Sequence, residues 1–160
     1  MDGWDNFTVA QVGASAALAG LVFVGLSVNL SRVLALPGVP GRAGEAIVVL
    51  AALLFAASAV LVPGQSFALL GAELAIIGLI DWIVIIRLQY VARRIELAAR
   101  PGSFASQIVF GQLATLPFII AGVALALRGE GGMYWFALGA FGSYAVAFAD
   151  AWVLLVEINR

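Results

Sequence analysis

Five apolar runs of about 20 residues, each ended by a Pro/Gly-rich or charged link, constrain this chain more than anything else in it. They cover residues 7–30, 45–62, 67–88, 104–127 and 133–156. A helix rises about 1.5 Å per residue, so about 20 apolar residues cross the ~30 Å hydrocarbon layer of a bilayer. The run at 45–62 is the shortest, with the least sharply marked edges. Composition agrees: 64% of residues are hydrophobic and 11% charged, against about 45–50% and about 25% in soluble domains. The expected fold is all-α, an integral membrane helical bundle of about five transmembrane helices forming a single domain over 1–160.

The links carry the punctuation of turns. Pro37, Gly38, Pro40 and Gly41 break the first, Pro63-Gly64-Gln65-Ser66 makes the second, and Pro101-Gly102-Ser103 precedes the fourth run. Arg128-Gly129-Glu130-Gly131-Gly132 separates the last two runs. Asp2 and Asp5 precede the first run with no basic residue beside them. A secretory leader needs a positive start, so this run reads as a retained helix.

Arginine placement orients the chain. Arg32 and Arg42 fall in the first link, Arg87, Arg93, Arg94 and Arg100 in or beside the third, and Arg160 at the C-terminus, whereas Arg128 alone falls in a link on the other side. That asymmetry puts the N-terminus outside and the C-terminus in the cytoplasm, which requires an odd number of spans. The use of Arg for every basic residue, with abundant Ala, Val, Gly and Leu, suggests a bacterial source, hence a multi-pass protein of the cytoplasmic (inner) membrane. From Arg87 to Ala99 no Pro or Gly interrupts the pattern, so the third helix is expected to run on into the cytoplasm. There Arg93, Arg94 and Arg100 would meet lipid headgroups or a protein partner.

Several function classes are excluded. The chain has no Cys and no His, which removes disulfides, thiolate sites and the usual metal ligand and general base. No cofactor or metal is expected. A net charge of −1 argues against nucleic acid as a partner. Without a nucleophile–base pair, a zinc-ligand helix or a phosphate loop, the chain is not expected to be an enzyme.

What remains is a set of polar residues inside apolar runs. Glu73, Asp81 and Asp150 are carboxylic acids at membrane depth, where an ionisable group costs about 2.5–3.5 kcal/mol on insertion scales. By helical rise, Glu73 lies in the outer half, and Asp81 and Asp150 share an inner depth with Asn29, Gln107 and Gln112. Gln11, Ser15 and Asn29 share one face of the first helix, and Ser143, Asp150 and Glu157 one stripe of the fifth, both expected to face the bundle interior. Trp82 and Trp152 adjoin the two inner acids, but neighbouring helical positions point about 100° apart. Two readings compete: interhelical hydrogen bonding, with Asp81 or Asp150 paired to Arg87, or a polar path for protons or cations. Small residues at four-residue spacing, such as Gly13/Ala17 and Ala16/Gly20 in the first run and Gly139, Gly142, Ala145 and Ala149 in the fifth, allow close helix contact. Pro117 should kink the fourth helix.

The segment Gly20-Leu21-Val22-Phe23-Val24-Gly25-Leu26-Ser27-Val28-Asn29-Leu30, followed by Arg42-Ala43 and Val62-Pro63-Gly64-Gln65, resembles a group of small actinobacterial multi-pass membrane proteins, some labelled modulator of a membrane-bound AAA protease. The resemblance covers roughly the first 65 residues and implies a regulatory, protein-binding role. Two functional expectations follow. One is a channel or transporter-like protein for protons, cations or a small solute, with Glu73, Asp81, Asp150, Asn29, Gln107, Gln112 and Arg87 along its path. The alternative is a non-catalytic regulatory or scaffold protein that binds another membrane protein, such as a protease. Either way the partners are the lipid bilayer and, most simply, further copies of the chain as a homo-oligomer.

Overall fold

The computed structural model describes residues 3–96 and 104–155, which form helices and short turns with no strand among them. The helices are α1 (Asp5–Val28), α2 (Leu30–Ala35), α3 (Val39–Val60), α4 (Phe67–Glu96), α5 (Phe104–Arg128) and α6 (Met133–Leu155), with a 3₁₀ turn, Gly129–Gly132, between the last two. Four helical stretches are long and apolar enough to cross a membrane: Asp5–Val28, Val39–Val60, Phe67–Ala92 and Gln107–Leu154. The last is 48 residues long, about twice what one crossing needs. Within it the Gly129–Gly132 turn folds α6 back along α5, so that Gly132 lies against Leu125 and Gly142 against Leu113.

Each long helix after α1 runs antiparallel to the long helix before it. Gly41 and Gly44 of α3 meet Ala92 and Leu88 of α4, and Gly71 and Gly78 of α4 meet Gly122 and Ile119 of α5. The centre is α3, with ten buried residues against four in α1. It packs on α1, α4 and α6. The run expected to be shortest is thus the innermost helix, and it starts six residues earlier than its apolar pattern suggested. Gly38, at φ 85°, turns the chain, and Pro40 occupies the first turn, where a missing N–H costs nothing. Pro40 and Gly41 therefore begin a helix rather than interrupt a loop. Within the same link, Leu30–Ala35 is helical and anchored by the buried Val33.

Glycine sets the closest seam. A Cβ at Gly71 would lie 2.5 Å from the Gly122 carbonyl oxygen and 2.9 Å from the Ala126 nitrogen, so α4 and α5 touch backbone to backbone there. Between α5 and α6 the contact has a further reason. Pro117 has no N–H to give to the Leu113 carbonyl, and the backbone of Gly142 packs against that same oxygen. A Cα–H···O contact of this kind is a weak bond available only where no side chain intervenes. α5 is helical through Pro117. Gly13 and Gly20 of α1 have open space at their Cβ positions. Of the two small-residue patterns, that of α1 faces outward, whereas in that of α6 Gly139 and Gly142 pack within the chain and Ala145 and Ala149 are exposed.

Two apolar clusters fill the bundle. One, built on Leu53, Leu74, Phe118 and Phe136, sits toward the end that holds Trp4, Gln65 and Met133, where Trp4 stacks edge-on against Tyr134 and Phe7 against Phe136. The other, built on Val49, Leu50, Ile85 and Val146, lies toward the opposite end. The second cluster surrounds the polar side chains described next.

Candidate functional site

Glu45 occupies the middle of a polar layer. It lies on α3 a turn and a half from Val39, only 2% exposed. Each carboxylate oxygen accepts one amide: Gln89 Nε2 of α4 donates to Oε1 at 2.8 Å, and Gln107 Nε2 of α5 to Oε2 at 3.0 Å. Gln89 Nε2 also donates to the Gln107 backbone carbonyl at 3.2 Å. Gly111 makes this possible, because a Cβ there would collide with Gln89 Nε2. One carboxylate thereby ties three helices together. Glu45 was not among the sequence-derived candidates, since Pro40 and Gly41 read as loop and left it at a span edge. The signal that could have found it is Gly38-Val39-Pro40, a cap-and-first-turn pattern that moves the helix start back by six residues.

One turn earlier on α3, Arg42 faces α6. Its Nη1 lies 3.5 Å from Asp150 Oδ1, so the cation that Asp150 meets is Arg42. Arg87, expected in that role, is exposed on α4. Arg42, Glu45, Gln107 and Asp150 line a cleft of about 130 Å³ whose remaining walls are Phe110, Val146 and Ala149. Water in bulk occupies about 30 Å³ per molecule, and a buried water needs two to four polar partners. The cleft meets both conditions. Asp150 is 4% exposed, yet its Oδ2, like Gln107 Oε1, has no hydrogen-bond partner among the described residues. The layer therefore has acceptors to spare beside a polar space.

The other predicted residues are distributed around this layer. Asp81 lies on α4 eight residues before Gln89, about 12 Å along the axis, and faces a different groove, between α3 and α4. Matched depth alone did not make Asp81 and Asp150 a pair. Between α4 and α5, Gln112 Oε1 accepts the indole N–H of Trp82 at 2.8 Å. Asn29 falls at the break between α1 and α2, where both its backbone N–H and its side-chain amide donate to the Gly25 carbonyl and close α1. Glu73 Oε2 accepts Gln65 Nε2 at 2.9 Å and clasps the α3–α4 turn onto α4.

On α1, Gln11 and Ser15 are buried as their shared face predicts, and Ser15 Oγ donates to the Gln11 carbonyl at 2.7 Å. Ser143 is likewise buried on α6 with Asp150. Near the end of α4 the Arg94 guanidinium donates to Tyr90 Oη at 2.6 Å and stacks over its ring at 4.7 Å. The side chain of Arg93, together with Arg100, Glu157 and Arg160, lies outside the described residues.

No family model matches the chain, and comparisons with curated proteins and with solved structures find no match.

Proposed function

We propose that the chain crosses the bilayer five times, through α1, α3, α4, α5 and α6, with its N-terminus outside, and that it binds and passes protons or small cations at the Glu45 layer. The arginine asymmetry supports the orientation. The observation that carries the reading is the charge balance of the cleft. Among the described residues, two carboxylates, Glu45 and Asp150, face one guanidinium, Arg42, and Asp150 Oδ2 and Gln107 Oε1 are acceptors without a partner. Buried negative charge without a counter-charge is expensive. The layer is therefore suited to take up positive charge from outside itself, in the form of protons or a small cation held by oxygen atoms.

Access is one-sided. The cleft lies at the Arg42 end, whereas Leu53, Leu74, Phe118 and Phe136 close the bundle toward the Glu73 end at 0% exposure. Passage thus requires those helices to part, which is the behaviour of a gated path rather than an open pore. Proteoliposomes with an imposed potential and a trapped pH dye test the proposal. Wild-type protein should admit protons, and Asp150→Asn and Glu45→Gln should each reduce the rate at least tenfold. Flux that is the same in wild type, both variants and protein-free liposomes would overturn it.

A regulatory or scaffold role is favoured by a separate observation. Arg94 and Tyr90 form an exposed cation–π pair near the end of α4, suited to a headgroup or an acidic partner surface, and the resemblance in the first 65 residues points the same way. A membrane protein that co-purifies with wild type and is lost with Arg94→Gln would support this role. Retention of every partner after neutralising Arg94 would count against it.

A further inference from the structure

Arg42 brings a fixed positive charge into the cleft that Glu45 and Asp150 line. Its Nη1 lies 3.5 Å from Asp150 Oδ1, and Glu45 follows it by one turn on α3. With both carboxyls ionised, the cleft holds two negative charges against one positive, so a single added positive charge balances it. A metal ion taken up beside Asp150 would share a cleft of about 130 Å³ with the guanidinium, and like charges at such range repel strongly away from bulk water.

Ligand supply points the same way. A hard metal ion needs several oxygen ligands, about six to eight at about 2.3–2.6 Å for Ca²⁺. The oxygens of this layer are engaged or covered. Each Glu45 carboxylate oxygen accepts an amide, from Gln89 or Gln107, and Asp150 Oδ1 faces the guanidinium. Asp150 Oδ2 and Gln107 Oε1 have no partner among the described residues, but both are covered, leaving no room for an ion the size of water against either. No group of three acidic side chains is assembled among the described residues. A proton has none of these requirements, because it bonds to one carboxylate oxygen and occupies no space of its own. The cleft has room for the water that delivers it, and the Arg42 and Asp150 side chains are 20% and 6% exposed. A hydronium ion in the cleft gives its proton to the Asp150 carboxylate: an O–H bond forms, a neutral water is left, and Glu45 remains as the counter-charge of Arg42. We infer, building on the flux reading above, that Arg42 is the selectivity residue of this layer, excluding metal cations and restricting passage to protons.

Proteoliposomes with an imposed potential test this, with a trapped pH dye reporting protons and radioactive sodium measured in parallel. In wild type, proton entry should be the same in external sodium and external choline, and sodium entry should match that of protein-free liposomes. Arg42→Ala, and the bulkier Arg42→Gln, remove the charge and should raise sodium entry at least tenfold. Arg42→Lys keeps the charge and should stay closed to sodium. Circular dichroism checks that each variant is helical. A merely structural role for Arg42 would lower the amount of folded protein without changing which ion enters. Sodium entry through wild type or Arg42→Lys would overturn the inference while leaving proton flux at the layer standing. So would helical Arg42→Ala or Arg42→Gln protein that still excludes sodium. Wild type that admits neither ion would overturn the flux reading itself, and the selectivity with it.

Discussion

Replacing Glu45 tests whether the polar layer holds the bundle together. In Glu45→Gln the side chain keeps its shape, but one carboxylate oxygen becomes an NH₂ that faces Gln89 Nε2 or Gln107 Nε2, both donors. A hydrogen bond to a charged group contributes about 1.5–3 kcal/mol in soluble proteins. Interhelical bonds in membranes average about 0.6 and reach about 1.7 kcal/mol, because the unfolded helices also find partners in the bilayer. The expected loss for Glu45→Gln is therefore about 1–2 kcal/mol. Glu45→Ala removes both acceptors and leaves a cavity, and should cost about 2–4 kcal/mol. Reversible unfolding in mixed micelles with rising SDS, followed by circular dichroism and the emission of the four tryptophans, measures both. A double-mutant cycle with Gln89→Leu isolates the direct bond. Equal stability of wild type and both variants, or a coupling energy near zero in the cycle, would refute the view that Glu45 joins α3, α4 and α5.

Three further predictions use independent features. Gly122→Val places a branched side chain where α4 and α5 meet at Gly71 and Ala75 and should lower stability by about 1–3 kcal/mol. Gly13→Val, with nothing within 4 Å of its Cβ position, should be neutral in the same unfolding assay. Arg42→Ala leaves Asp150 buried without its cation. Breaking such pairs costs about 3–5 kcal/mol when fully buried, and the 3.5 Å separation and 20% exposure of Arg42 put this one below that range. Adding Asp150→Asn should restore part of the loss, and a double variant no more stable than Arg42→Ala would exclude the ion pair as the cause. Because the chain has no cysteine, single cysteines report topology directly. An impermeant maleimide on intact cells should label Asn6→Cys and Gly131→Cys but leave Pro37→Cys and Arg94→Cys unlabelled, and any other pattern contradicts five crossings with the N-terminus outside.

The long helices were legible because entry into hydrocarbon is decided residue by residue, and the Pro/Gly links sit where the structure turns at Gly38, Pro63-Gly64 and Gly129–Gly132. The candidate site was legible only in part. Asp150 and Gln107 were singled out and do share a cleft, but Asp81, Gln112 and Asn29, grouped with them by depth, and Glu73, set apart toward the outside, lie in four separate settings. Glu45, the residue that joins the layer, was hidden by a helix start misplaced at a proline.

Local composition thus determined that this is an all-helical chain with membrane-length apolar helices, how its links turn, and which helices carry acids. Only the tertiary structure decided which polar groups meet: Glu45 with Gln89 and Gln107, Arg42 with Asp150, and Asp81 with none among the described residues. Periodicity reports which residues share a face of one helix, but the rotation of each helix against its neighbours is another matter. Lipid is as apolar as leucine, so an apolar face does not mark the inside of a membrane bundle. Here the rotations are set by backbone contact at Gly71, Gly122 and Gly142, and those contacts exist only once the helices have packed.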